Sequence, residues 1–241
     1  LVGSEMCIRD SNNYSKIYTR IYKNYQINYK RKNLSMQLLQ LAKKLYHGRD
    51  SSHGITHVKK VRDNALLLCE KLNITDRLTL IKIETASLFH DLWDHKYINK
   101  SSDDYIDIKE ELYNELYKRY YSDHDIRDIE IIIDNVSLTR EMLLRKEGKT
   151  LELKHLQLMR DIVSDADKLE MLGMNGIDRI IDFQLFKYPM TKTEELRQIV
   201  KDIYNVKISK LIKEKYIRTE PARELAEPLM REMEEYIKKL K

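Results

Sequence analysis

The sequence predicts an all-α protein, a bundle of eight or nine helices, and three observations predict it. Glycine and proline are scarce, six and three in 241 residues, so the many turns that short strands require have few residues to form them. Apolar residues recur at the period of a helix buried on one face. No G-x-G-x-x-G segment and no P-loop occurs, which disfavours the nucleotide folds built on parallel sheets.

From the N-terminal side, Leu34–Tyr46 carries Leu34, Leu38, Leu39, Leu41, Ala42 and Leu45 at helical spacing, and His47-Gly48 stops it. A second helix begins near Thr56, a good N-cap residue, with Val58, Val61, Ala65 and Leu68 on one face. A third spans about Asp76–Trp93 on Leu80, Ile83, Ala86 and Leu88. A highly charged fourth covers Ser102–Tyr121 and a fifth Asp125–Val136, and residues 139–152 read as a charged loop around Gly148. The sixth covers 153–171, Gly173 and Gly176 punctuate the stretch after it, and two long charged helices at 191–217 and 219–239 complete the chain. Pro221 suits the first turn of the last, where its missing N–H costs nothing.

The length suits one large domain with appendages and is ample for a core without staples. Residues 1–11, LVGSEMCIRDS, look foreign to the rest and resemble a translated adapter sequence. With the polar, Tyr-rich stretch after them they form an extension, 1–33, ahead of a domain at 34–241. With 42% apolar and 34% charged residues the chain is globular. Two cysteines, Cys7 and Cys69, exclude a disulfide framework and fit a reducing, cytoplasmic setting. The longest apolar runs fall short of a membrane span, and the N-terminus lacks a signal-peptide core. A net charge of +5 with both signs interspersed favours anionic ligands in general and does not mark a nucleic-acid binder.

Three segments hold the residues with chemistry: DSSHGITHVKKV at 50–61, LFHDLWDHKY at 88–97 and SDADKLEMLG at 164–173. Each abuts an apolar helical face, so three neighbouring helices can bring them together. His90 and Asp91 are adjacent and diverge by about 100° on a helix, yet both can reach an ion lodged between their two directions. His57 adds an imidazole from the preceding helix, and Asp167 or its neighbour Asp165 a carboxylate from a distant one. Two imidazoles and two carboxylates suit a divalent ion and leave positions open for water, as a hydrolytic site needs. Trp93 reads as core, and His47, His124 and His155 as surface residues.

The order H…HD…D resembles the HD-domain superfamily of metal-dependent phosphohydrolases, and the local wording matches. HGITHVKKV is similar to that family's H-x-x-x-H-x-x-x-V opening, SLFHD to its HD segment and DADKLEMLG to its D-A-D-[RK]-L-x-x-x-G. The resemblance runs from about 34 to 237 and points to a small stand-alone subgroup acting on nucleoside phosphates. It implies an HD-domain helical bundle with His57, His90, Asp91 and Asp167 as ligands of a divalent ion (Mn, Fe, Co, Ni, Zn or Mg). It selects Asp167 over Asp165 because Asp167 directly precedes Lys168-Leu169.

Asp94 falls where relatives often place a proton-transferring glutamate, one methylene longer. Lys96, His95 and His53 are positioned to meet substrate, with Asn135 and Ser137 as further substrate-side candidates. The implied activity is hydrolysis of a phosphoester or phosphoanhydride in a small phosphorylated substrate, a nucleotide, with no nucleic-acid or membrane partner and an oligomer allowed. The alternative is a catalytically silent HD module that binds a nucleotide or a partner protein. An alarmone hydrolase is disfavoured, because Asp94-His95 stands where those relatives carry a carboxylate pair.

Overall fold

The computed structural model describes residues 33–50, 52–94, 97–99 and 101–240. It divides into two compact units, Leu1–Gln40 and Leu41–Lys241. Of the first only 33–40 are described, and they are helical. No strand occurs among the described residues. The α-helices are α1 (residues 33–45), α2 (Ile55–Lys71), α3 (Arg77–Phe89), α4 (Asp103–Tyr117), α5 (Asp123–Asp134), α6 (Leu138–Lys146), α7 (Gln157–Leu169), α8 (Gly173–Lys187), α9 (Thr193–Val206) and α10 (Glu220–Lys239). Ten helices among the described residues thus stand against eight or nine expected.

The core of the second unit is α2, α3 and α7, each packed against the other two, with α5 on α3 and α7. Helix α2 buries Val58, Val61, Ala65 and Leu68 completely, the stripe its sequence spacing draws. Helix α3 begins where the Asp76 carboxylate accepts the Thr79 N–H at 2.8 Å. It is buried nearly all round, polar residues included. Lys82 is satisfied by Asp128 at 2.6 Å and Asp125 at 2.9 Å, and Glu84 by Arg62 at 2.8 Å. Such a helix shows little amphipathic contrast, and these two charges find their partners on neighbouring elements. Helix α5 opens with a reciprocal capping box between Ser122 and Asp125.

Three departures from the sequence reading concern the C-terminal half. Residues 139–152 are not all loop: Ser137 caps α6 by accepting the Arg140 N–H, and the helix runs to Lys146 before Gly148 turns at φ +70°. Its dense charge hides an inward face that includes Leu138 and Glu141. The stretch that Gly173 and Gly176 punctuate is itself a helix, and both lie at the start of α8. Gly173 has φ +66°, and a Cβ on Gly176 would lie 2.1 Å from the Met171 carbonyl oxygen, so both positions exclude a side chain. The expected helix at 191–217 ends at Val206, and a 3₁₀ turn at Ile208–Lys210 carries Ile208 and Leu211 into the core. Pro221 lies in the first turn of α10 as expected. No described helix is long and apolar enough to cross a membrane.

Candidate metal centre and its cavity

Helices α2, α3 and α7 each deliver part of one side-chain cluster. His57 lies in the first turn of α2, after Gly54, whose close approach to the Asp50 carbonyl (2.7 Å for a Cβ) leaves no room for a side chain. His90 is the C-cap of α3, and Asp91 follows in a tight turn closed by the Leu92 N–H on the Phe89 carbonyl. Asp167 comes from the last turn of α7.

The atoms converge closely. The His57 and His90 Nε2 atoms are 3.3 Å apart. Asp91 Oδ2 lies 3.5 Å from each of them, and Asp167 Oδ1 is 3.4 Å from His57 and 3.6 Å from His90. Metal–ligand bonds of about 2.0–2.2 Å place neighbouring ligand atoms about 2.8–3.6 Å apart, between right-angled and tetrahedral arrangements. The observed separations fall in that span. His57, His90 and Asp167 form a group able to hold a metal ion. His90 Nδ1 donates to the Ser87 carbonyl oxygen at 2.8 Å, which orients the ring so that Nε2 is turned to the cluster. Two imidazoles and two carboxylates are the donor set of a borderline divalent ion. The site therefore fits one.

Electrostatics agree. Burial works to lower the His90 pKa, but the Asp91 and Asp167 carboxylates overcome it and push it up to about 9. Burial likewise opposes ionisation of both carboxylates. The His90 imidazole first, with His57, holds Asp91 well below the usual range, and hydrogen bonds from His57 and His90 do the same for Asp167. The cluster calls for positive charge, which a proton or a divalent cation can provide.

Asp165, two residues from Asp167, faces elsewhere. Its buried carboxylate accepts the Arg218 N–H at 3.0 Å, the Thr219 N–H at 2.7 Å and the Thr219 hydroxyl at 2.8 Å. It thus anchors the N-terminus of α10, whose N-cap residue is Thr219.

The two histidines are almost wholly buried, whereas the Asp91 and Asp167 side chains are 16% and 20% exposed. The exposed edge opens on a cavity of about 560 Å³. Its wall includes His90, Asp91 and Asp167, with His53 and Asp94 beside them. Its apolar lining includes Ile133, Ile180, Phe183, Ile199 and Ile203. Three cations border it: Arg140, Arg179 and Lys207. Arg179 donates to the Ser52 and Glu170 carbonyls, Arg140 to the Asp134 carbonyl and Lys207 to the Thr139 hydroxyl. The sequence pattern singles out none of the three; only folding gathers α6, α8 and residue 207 around one opening.

His53 Nδ1 lies 2.7 Å from the Ser52 hydroxyl, and its ring meets those of Phe183 and Tyr97. Trp93 is buried, donates from Nε1 to Asp134 at 2.9 Å and forms part of the cavity wall. Ser137 reaches the cavity as well as capping α6. Asn135 is the C-cap of α5, and its side-chain amide returns to the Ile131 carbonyl. His124 and His155 are exposed and Cys69 is buried. Lys96 and His95 lie outside the described residues.

The chain is an all-α bundle that places a His–His–Asp group able to hold a metal ion at the edge of a cavity. More particularly, the chain has the HD-domain fold, as comparison with solved structures shows. YpgQ of Bacillus subtilis, solved in complex with ADP, superposes with a TM-score of 0.59 at 26% identity, covering 86% of this chain and 95% of that one. An HD-superfamily hydrolase of Bacillus thuringiensis matches at 0.58 and 21% identity over 87% and 95% of the two chains. A protein of Lactobacillus plantarum matches at 0.64 and 19% identity over 85% and 93%. No model of a protein family matches the chain, and no curated protein matches it.

Proposed function

We propose that the chain is a metal-dependent phosphohydrolase acting on a nucleotide, with His57, His90, Asp91 and Asp167 as the metal ligands. The observation that carries the reading is that oxygens of Asp91 and Asp167 each lie 3.4–3.6 Å from the His57 and His90 Nε2 atoms, themselves 3.3 Å apart, at the wall of a cavity bordered by cations. The ADP bound by the Bacillus subtilis neighbour supports a nucleotide as substrate.

A divalent ion bound there would polarise a phosphoryl oxygen and acidify water, the two contributions on which metal-assisted phosphate hydrolysis rests. His57 and His90 offer Nε2 lone pairs, the second oriented by the Ser87 carbonyl. Asp91 and Asp167 contribute charge and face the cavity. Asp94 borders the same space and takes the proton that the attacking water gives up. Arg140, Arg179 and Lys207 draw in phosphate oxygens and offset the charge that grows on them during transfer, while the isoleucine-rich wall and Phe183 bury the base. His53, at the cavity wall, adds a contact to substrate, and for Lys96 the same part rests on the sequence alone.

The test is a panel of nucleotides and simple phosphoesters incubated with the metal-loaded protein, with phosphate and pyrophosphate assayed separately. Turnover on nucleotides that is lost in Arg140→Ala and Lys207→Ala through a raised KM supports the reading. Equal turnover on non-nucleotide esters removes the nucleotide from it.

A further inference from the structure

The turn that carries Asp91 is held by one residue of another segment. The Arg49 guanidinium donates to the carbonyl oxygen of Asp91 at 2.6 Å and also to that of Leu92. The cation is clamped between two aromatic faces, its Cζ 4.8 Å from the ring centroids of both Tyr46 and Tyr97. Tyr97 in turn donates its hydroxyl to Asp50, whose carboxylate also accepts the Ser52 N–H at 2.9 Å.

After α3 ends at Phe89, the Asp91 carbonyl accepts the Asp94 N–H at 3.1 Å and the Arg49 guanidinium beside it. A lysine could reach one carbonyl of the turn, whereas a planar guanidinium presents two parallel donors to two successive carbonyls and stacks between rings at once. Arg49 also precedes the short loop through Gly54 into α2, where His57 resides. One side chain therefore ties the segment that leads to His57 to the turn that bears Asp91. Arg49 does not itself line the cavity, and its hydrogen bonds to the turn go to the backbone carbonyls of Asp91 and Leu92.

We infer that Arg49 is a positioning residue for the metal centre: it sets the orientation of Asp91 relative to His57 through the backbone of the 90–93 turn. The inference rests on the ligand reading proposed above.

Arg49→Met keeps the stem between the two rings and removes both donors. Arg49→Lys keeps the cation between the rings with a point charge in place of the fork. Each is compared with wild type and with Asp91→Ala in three measurements: Co²⁺ affinity by titration, the visible ligand-field spectrum of the bound Co²⁺, and melting temperature without metal. The expected result for Arg49→Met is a Co²⁺ affinity about 10–100-fold weaker, the scale on which groups orienting metal ligands act, with an altered spectrum and one ion still bound at saturation. Arg49→Lys is expected to fall between Met and wild type.

If Arg49→Met lowers only the melting temperature and leaves affinity and spectrum at wild-type values, Arg49 is structural and the inference is overturned. If Arg49→Met does not fold, wild-type affinity and spectrum in Arg49→Lys overturn it in the same way, and an intermediate affinity sustains it. If Asp91→Ala binds Co²⁺ as wild type does, the ligand reading fails first and takes the inference with it.

Discussion

Asp165 and Asp167 stand two residues apart on α7 and are expected to respond to the same substitution in opposite ways. In Asp165→Ala the N–H groups of Arg218 and Thr219 lose their shared acceptor beneath the start of α10, where Asp165 and Thr219 are both buried. A buried donor left unpaired costs about 1–3 kcal/mol; two N–H groups are affected, and the Thr219 hydroxyl, the third donor, can rotate to another acceptor. Part of that is offset, because burial already works against the ionised carboxylate and raises its pKa despite Lys168 and the Thr219 and Arg218 donors. A net loss of about 2–4 kcal/mol follows, which for a chain of this size is a fall in melting temperature of about 5–15 °C.

The metal cluster does not touch Asp165, so bound metal and the rate on a substrate should survive at temperatures where the variant is folded. In Asp167→Ala the His57 and His90 imidazoles lose one of the two carboxylates facing them, so the metal-free protein should melt below wild type. It should lose most of its bound metal and at least about two orders of magnitude in rate. The assay pairs thermal denaturation with metal content by atomic emission on the same samples. Loss of metal in Asp165→Ala with retention in Asp167→Ala would refute the reasoning. It would mean that the α7 register is shifted and that the hydrogen bonds to α10 do not form.

Three further expectations use other parts of the molecule. Burial pushes the Glu141 carboxyl up, but Lys168 and Arg160, with Arg218, overcome it and hold it at about 2 against an ordinary 4.5. The stability contributed by its ionised form is therefore complete above about pH 4.5 and is lost as pH falls towards 2. Glu141→Gln should melt lower at pH 7 and lose less than wild type between about pH 5 and 2.5, whereas parallel melting curves would contradict the role of the ion pairs. Gly176→Ala drives a Cβ to 2.1 Å from the Met171 carbonyl oxygen, so the start of α8 must shift. The cost of such overpacking is about 1–3 kcal/mol or more, and an unchanged denaturation midpoint would argue against this path of the chain. Arg140→Ala, exposed and bound to a single carbonyl, should leave the melting temperature within about 2 °C while raising KM for nucleotides. A fall in kcat alone would assign it a different part.

Much of the core is legible in the sequence because helix period is a local property. Val58, Val61, Ala65 and Leu68 announce the buried face of α2 with no knowledge of what covers it. The convergence of His57, His90, Asp91 and Asp167 can be anticipated from three short segments, and there the wording of the motifs carries more weight than spacing. The choice between Asp165 and Asp167 shows the limit. Periodicity says only that they point apart; which one faces the imidazoles depends on α10, more than fifty residues further on.

Helix α8 escapes a local reading for a related reason. Glycine ordinarily signals a break, but Gly173 and Gly176 are required by a close passage against Met171 and the side chains of α10, which no local pattern reveals. Arg140, Arg179, Lys207 and Arg49 look like ordinary surface charge in the sequence. Most of their partners are backbone carbonyls and aromatic faces, and backbone carbonyls leave no trace in residue identity.

The central claim is tested most directly by turnover of a nucleotide panel by one preparation in three states: metal-stripped, reloaded with Mn²⁺ or Co²⁺, and reloaded with an excess of chelator added. The account predicts release of phosphate or pyrophosphate from at least one nucleotide in the reloaded state, its loss on stripping and with chelator, and poor rescue by Ca²⁺, since imidazole donors suit the transition ions better. Full activity in the presence of chelator would contradict it. So would one tightly bound ion with no turnover on any nucleotide, the behaviour of a silent binding module.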